Sequence, residues 1–266
     1  GSRWLGRSAA LHKFGGRPPE SLAALLEIAE LVEAGAGRRE QHDGRRLAGI
    51  ARVLVGGLDG GIDVGGMMGL PPGAPAMPPM WSGYIHSADV DADAARAVEL
   101  GGQICNLPED IPGVGRFAVI AYPGGATFNI FKPDGGGTPA EVPDATPGHI
   151  GWRELHAGDG KAAWDFYSAM FGWTKKEAFD MDALGVYQLF ATGGGAVGGM
   201  MTKMADMPQA TWVYYFNVDA IDAAAARVSG AGGKVLMGPH QVPTGQWIVQ
   251  CSDPQGAMFA LLATKR

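Results

Sequence analysis

Glu154 and His156 stand two residues apart in a run, 150–156, whose pattern predicts a β-strand. Residues i and i+2 of a strand face the same side, so a carboxylate and an imidazole share one face with Trp152. Such a pair can move protons when its surroundings tune both pKa values. The same residues also have a structural reading, with Glu154 bonded to backbone or Arg153 and His156 at the wet end of its strand. Tyr215 and Asn217 are spaced alike on a strand that begins at Trp212, and so are Tyr84 and His86. An aromatic wall with a few polar groups suits a small organic molecule. His149 lies seven residues before His156, hence on the opposite face, which argues against a joint site.

Other motifs carry less chemistry. Residues 193–198 fit G-x-G-x-x-G formally but join two predicted strands with no helix after them, so they read as a turn rather than a dinucleotide loop. There is no G-K-[ST] phosphate loop and no G-x-S-x-G elbow. The Met pairs at 67–68 and 200–201 read as strand core. Arg38, Arg39, Arg45 and Arg46 are diluted by Glu40 and Asp43 and read as a solvated surface.

The elements that must position these residues are legible. Asp159 is placed to cap a helix over 161–171, in which Ala163, Phe166, Tyr167 and Met170 recur at spacings of three and four. Gly172 ends it. Strands follow at 174–179, 186–191 and 196–202. The order then recurs: strand 212–218, helix 221–229, strands near 234–237, 246–251 and 257–263. Each half is strand–helix–strand–strand–strand.

The segment 81–133 repeats in 212–265 at a constant offset of 131 positions. Trp81 matches Trp212, Tyr84 matches Tyr215, Ala94-Ala95-Arg96 matches Ala225-Ala226-Arg227, and Pro123, Gly125-Ala126 and Phe128 match Pro254, Gly256-Ala257 and Phe259. Just upstream, 63–68 resembles 196–201. A period this long is a domain, not a solenoid unit. We therefore expect an N-terminal domain whose legible part is 61–134, a Gly/Pro-rich linker at 135–147 and a C-terminal domain at 148–266. Residues 1–60 lack the opening motif and hold a predicted helix at 20–32, so they are either a diverged first module or the product of a shifted reading frame.

Trp152-Arg153-Glu154-Leu155 with Asp159, Ala162-Ala163-Trp164-Asp165-Phe166-Tyr167 and Phe171-Gly172-Trp173 resembles the opening of a vicinal-oxygen-chelate domain. Asp253-Pro254-Gln255-Gly256-Ala257 resembles its closing hairpin. The resemblance covers roughly 60–266 and is to the glyoxalase/bleomycin-resistance/dioxygenase type, most of all the two-domain actinobacterial glyoxalase-like antigens and hydroxylases. It implies an α+β fold of tandem domains built from βαβββ modules, whose mixed, curled sheets form cups. It also implies that Trp152, Glu154, His156, Tyr215 and Asn217 line the C-terminal cup, and Tyr84, His86 and Asn129 the second. Metal-using members place His, Gln or Glu at four strand positions, where a divalent cation chelates two substrate oxygens. Carried onto this chain, those positions fall on Trp152, Gly199, Val213 and Ala260, and in the first copy the readable ones on Gly66, Ser82 and Asn129. The four C-terminal positions hold no side chain that ligates a metal.

The 266 residues include 46% hydrophobic ones, enough for a packed core, and a formal charge of −6 gives no basic field for nucleic acid. No apolar run is long enough to span a membrane and no signal peptide is legible. Cys105 and Cys251 are too few for a disulfide framework and read as buried thiols of a cytoplasmic protein. The expectation is a metal- and cofactor-free binder of a small molecule, monomeric through an internal pseudo-dimer, with the C-terminal copy carrying the ligand. The alternatives are a lyase or hydroxylase-like enzyme using Glu154 and His156 on a small carbonyl compound, and a non-catalytic interaction protein.

Overall fold

The computed structural model describes residues 78–135 and 143–266, and the backbone of three strands at 10–14, 50–55 and 62–69. The predicted helix at 20–32, the arginine-rich stretch, Gly1 to Ala9 and most of the linker lie outside the described residues.

One topology recurs. In β5 (Tyr84–His86), β6 (Gln103–Ile111), β7 (Gly115–Ala121) and β8 (Thr127–Pro133), the spatial order is β5-β8-β7-β6. The first strand pairs parallel with the last and the others pair antiparallel. A parallel pair needs a long crossover, and α1 (Val90–Glu99) begins it. The same order, β9-β12-β11-β10, holds for β9 (Ile150–Ala157), β10 (Thr174–Asp180), β11 (Val186–Ala191) and β12 (Ala196–Thr202), with α2 (Gly160–Phe171) after β9. It holds again, β13-β16-β15-β14, for β13 (Thr211–Asn217), β14 (Lys234–Gln241), β15 (Trp247–Ser252) and β16 (Met258–Ala263), with α3 (Ile221–Gly230) after β13.

β1 (Ala10–Phe14), β2 (Ile50–Val55) and β3 (Ile62–Gly69) show the same pairing at the N-terminus, where the sequence has no opening motif. Leu11 of β1 pairs with Gly66, as Glu154 of β9 pairs with Gly199. The first copy thus has an opening strand that its side chains do not announce. β4 (Met80–Ser82) is the last member of that sheet.

Two compact units divide the chain. Among the described residues, unit one holds 82–135 and 153–213, and unit two holds the three N-terminal strands, 78–81, 143–152 and 214–266. Each unit thus joins parts of both sequence copies, a grouping that the repeat does not follow.

The local reasons for α2 are those its sequence offers. Asp159 accepts a hydrogen bond from the Ala162 N–H at 2.9 Å, and Gly172 closes the helix in the left-handed region, φ 66°. Phe171 and Trp173, on either side of that glycine, enter the core of unit one. There Trp173 stacks on Tyr167 and on Phe190, and the Trp212 indole donates to the Tyr167 hydroxyl at 3.0 Å. In unit two, Asp253 shapes the turn between β15 and β16 by accepting from the Gln255 and Ala257 N–H groups. Cys251 is buried, but Cys105 is exposed on β6, which corrects the expectation of two buried thiols. No helix among the described residues is long and apolar enough to cross a membrane.

Candidate functional site

In unit one β12 runs parallel to β9, pairing Gly198 with Arg153, Gly199 with Glu154 and Met201 with His156. One face of this sheet turns to the aromatic core. A Cβ on Gly198 would overlap the Phe190 ring and the Arg153 carbonyl, and Leu155 on the same face is fully buried. By alternation Glu154, His156 and Gly199 look the other way.

On that face Tyr187, from β11, donates its hydroxyl to Glu154 Oε2 at 2.9 Å. The hydroxyl end of its ring lies over Gly199, where an added Cβ would overlap Cζ and Oη of the tyrosine. The other carboxylate oxygen, Oε1, is 2.8 Å from His156 Nε2. That oxygen sits out of line with the ring N–H, so the contact is a close approach rather than a linear hydrogen bond. His156 Nδ1 is buried and has no hydrogen-bond partner among the described residues. The side chains of His156 and Glu154 are only 8% and 12% exposed, so His156 is not at a wet strand end.

Unit two carries a second polar group. Tyr215, Ala260 and Gln250 are in register across β13, β16 and β15 and so share a face. Gln250 Nε2 donates to the Tyr215 hydroxyl at 3.0 Å, in a buried bond that must pass over the intervening Ala260. Asn217, further along β13, is buried with its amide against Gly151. It borders a cavity of about 130 Å³ with Pro147, Gln246, Leu262 and Lys265. Trp152 is half-buried and belongs to this unit, whereas Glu154 and His156 belong to unit one.

In the first copy Tyr84 is buried, its ring edge-on to Phe131 at 5.7 Å, and burial raises its phenol pKa well above the ordinary value. His86 is half-buried at the end of β5. Asn129, in register with Tyr84, donates to Ser82 Oγ at 2.8 Å and to the Gly83 carbonyl at 3.2 Å.

The residues onto which the resemblance carries the family's metal positions do not fit a divalent cation. The space above Gly199 is filled by the Tyr187 ring, and Ala260 lies under the Tyr215–Gln250 bond. Val213 is fully buried and apolar, and Trp152 offers no lone pair. In the first copy Ser82 and Asn129 are bonded to each other, so that neutral pair is spent internally. No cluster of three or more His, Cys, Asp or Glu side chains suited to an ion occurs among the described residues.

Sequence reasoning brought out Glu154 and His156, which the structure places together, but missed Tyr187 and Gln250. Gln250 had a signal, a lone amide in the apolar strand 247–251. Tyr187 had none, because its role depends on the neighbouring strand presenting a glycine.

Residues 147–261 match the model of the Glyoxalase/Bleomycin resistance protein/Dioxygenase superfamily. A protein of Mycobacterium tuberculosis (strain CDC 1551 / Oshkosh) with the provisional name glyoxylase CFP32 is 36% identical over 195 residues, 73% of each chain. The anthracycline biosynthesis protein DnrV of Streptomyces peucetius is 33% identical over 188 residues, 70% of this chain and 66% of that protein. Among solved structures, the Mn(II)-bound glyoxalase from Novosphingobium aromaticivorans superposes with a TM-score of 0.61 at 14% identity, covering 100% of this chain and 84% of that one. The 2,2',3-trihydroxybiphenyl 1,2-dioxygenase of Sphingomonas wittichii strain RW1 gives 0.61 at 12% identity, covering 99% and 91%. At these identities the structural likeness shows the fold alone.

Proposed function

Because the chain belongs to the glyoxalase/bleomycin resistance protein/dioxygenase superfamily, we propose that it binds a small organic molecule without a divalent metal. The carrying observation is the roofing of Gly199 by Tyr187. A coordinating side chain at 199 would have to displace that ring. The ligand then rests on the polar face of β9 at Glu154 and His156. In the same reading the chain acts as a cytoplasmic monomer and the first copy, with Tyr84, His86 and Asn129, is mainly structural. Elemental analysis of purified protein tests metal independence: no stoichiometric Zn, Ni, Fe or Mn is expected, and about one metal per domain refutes the reading. A thermal-shift screen for ligands, followed by calorimetry, tests the site. Trp152→Ala abolishes binding of a hit while Tyr84→Ala leaves it nearly unchanged; the reverse places the ligand in the first copy.

A second reading rests on the 2.8 Å approach of Glu154 to His156. A carboxylate that orients an imidazole is a general acid–base arrangement, and such contacts often align only when substrate binds. The chain would then be a lyase or hydroxylase-like enzyme on a small carbonyl compound. Full turnover of an identified substrate by Glu154→Gln eliminates this mechanism.

A further inference from the structure

Building on metal-free binding at the β9 face, we propose that Tyr187 is an internal ligand: its phenol occupies, over Gly199 and against Glu154, the place taken by a small molecule carrying a hydroxylated planar ring. The floor of this place is backbone. Residue 199 has no side chain, and the ring fills the volume that a Cβ would claim. The place is therefore one that the hydroxyl end of a phenol ring fills. Its polar end is the Glu154 carboxylate, which receives the tyrosine O–H at 2.9 Å. A hydroxyl donating to a carboxylate is among the stronger neutral-to-charged hydrogen bonds, and a free ring with a hydroxyl makes the same one.

The occupant is able to leave. Tyr187 is half-buried and follows Val186, which is 58% exposed, so the ring borders solvent on a strand held by backbone pairing. Opening the place asks only that the side chain turn about its own bonds while the backbone pairing of β11 stays in place. A second group on the face points to a ligand independently. His156 Nδ1 is buried beside Glu154 with no hydrogen-bond partner among the described residues, and its side chain is more than nine-tenths buried. A buried polar atom left unmatched is costly, and a ligand extending past the tyrosine's position can match it.

The test uses the full chain and 4-methylphenol, the tyrosine side chain as a free molecule, with toluene as the ring lacking the hydroxyl. Calorimetry should find 4-methylphenol bound at least about tenfold more tightly by Tyr187→Ala than by the unaltered chain, because the internal competitor is gone. Toluene should bind Tyr187→Ala about tenfold more weakly than 4-methylphenol, and Glu154→Gln in that background should narrow the gap. Adding Gly199→Ala should abolish binding, since its Cβ enters the ring's volume. Equal affinity of Tyr187→Ala and the unaltered chain, equal binding of the two probes, or binding that survives Gly199→Ala each overturns the proposal. If Tyr187→Ala does not fold, Tyr187→Phe decides: it keeps the ring but loses the latch, so it should bind 4-methylphenol more tightly than the unaltered chain, and no gain overturns the idea. A screening hit whose affinity ignores Tyr187→Ala removes the role of Tyr187 and leaves metal-free binding standing. Stoichiometric metal with the expected probe behaviour does the reverse.

Discussion

Gln250 reaches Tyr215 across the strand that separates them, its amide donating to the phenol oxygen at 3.0 Å above Ala260. In the first copy the corresponding three residues are Tyr84, Val119 and Asn129, in the same register. The amide has moved to the middle strand, where Asn129 bonds to Ser82 instead of to the tyrosine. Both copies thus spend their amide inside the protein, by different routes.

Removing the bridge should weaken the fold. Gln250→Ala leaves the buried Tyr215 hydroxyl without its donor and opens space above Ala260. The expected cost is about 1–3 kcal/mol, read as a lower urea midpoint with an unchanged slope. A midpoint equal to that of the unaltered chain means that the bond contributes nothing.

Restoring a ligand type at the fourth family position should not restore a metal. Ala260→Glu places a carboxylate under the Tyr215–Gln250 bond at a fully buried site. An unpaired buried charge costs on the order of several kcal/mol. The variant should melt earlier and show no Zn- or Mn-dependent gain in melting temperature; such a gain means that the partners needed for coordination are present.

The two thiols should separate cleanly in labelling. Cys105 is exposed, whereas burial pushes the Cys251 thiol up to about 12. The thiolate is the reactive form, so iodoacetamide should add to Cys105 alone in the native protein and to both residues in denaturant, as mass spectrometry will read. The raised value also sets a sign. Stability linked to Cys251 is complete below the ordinary thiol range and is lost as pH rises toward about 12. Cys251→Ala should therefore flatten the alkaline limb of the stability curve.

Acid should find a different pair. The Arg116 guanidinium donates two hydrogen bonds to Asp91 and holds its carboxyl below the usual carboxylate range. Stability linked to Asp91 is complete above that ordinary range and is lost as pH falls through the lowered value. Asp91 is exposed and the effect is small. Asp91→Asn should slightly reduce the drop in melting temperature between about pH 5 and about pH 3; an unchanged drop shows that the pair is fully screened.

Much of the scaffold was legible because it is local. The α2 boundaries follow from Asp159, the apolar spacing and Gly172, and β11 and β12 coincide with the runs 186–191 and 196–202. The resemblance carried by Trp152 to Trp173 and by the Asp253 turn led to the right family. β14 was expected to end near Met237 and continues to Gln241, past Pro239, because its pairing with β15 resumes at His240. A strand's end is decided by its partner, which the strand's own residues do not report.

The sequence by itself determined that a domain-sized segment recurs at a constant offset and that Glu154 and His156 share a face, and the resemblance it carries implied that the family's metal positions fall on Trp152, Gly199, Val213 and Ala260. These are statements about period and residue type, and period and type are written along the chain. Only the tertiary structure decided that Gly199 is a floor for Tyr187, that Tyr187 holds Glu154, and that Gln250 reaches Tyr215 over Ala260. Each of those depends on strand order and register, which bring together residues 12, 33 and 35 positions apart. Pairing of that kind is fixed by the energy of the whole sheet and leaves no mark at either residue alone.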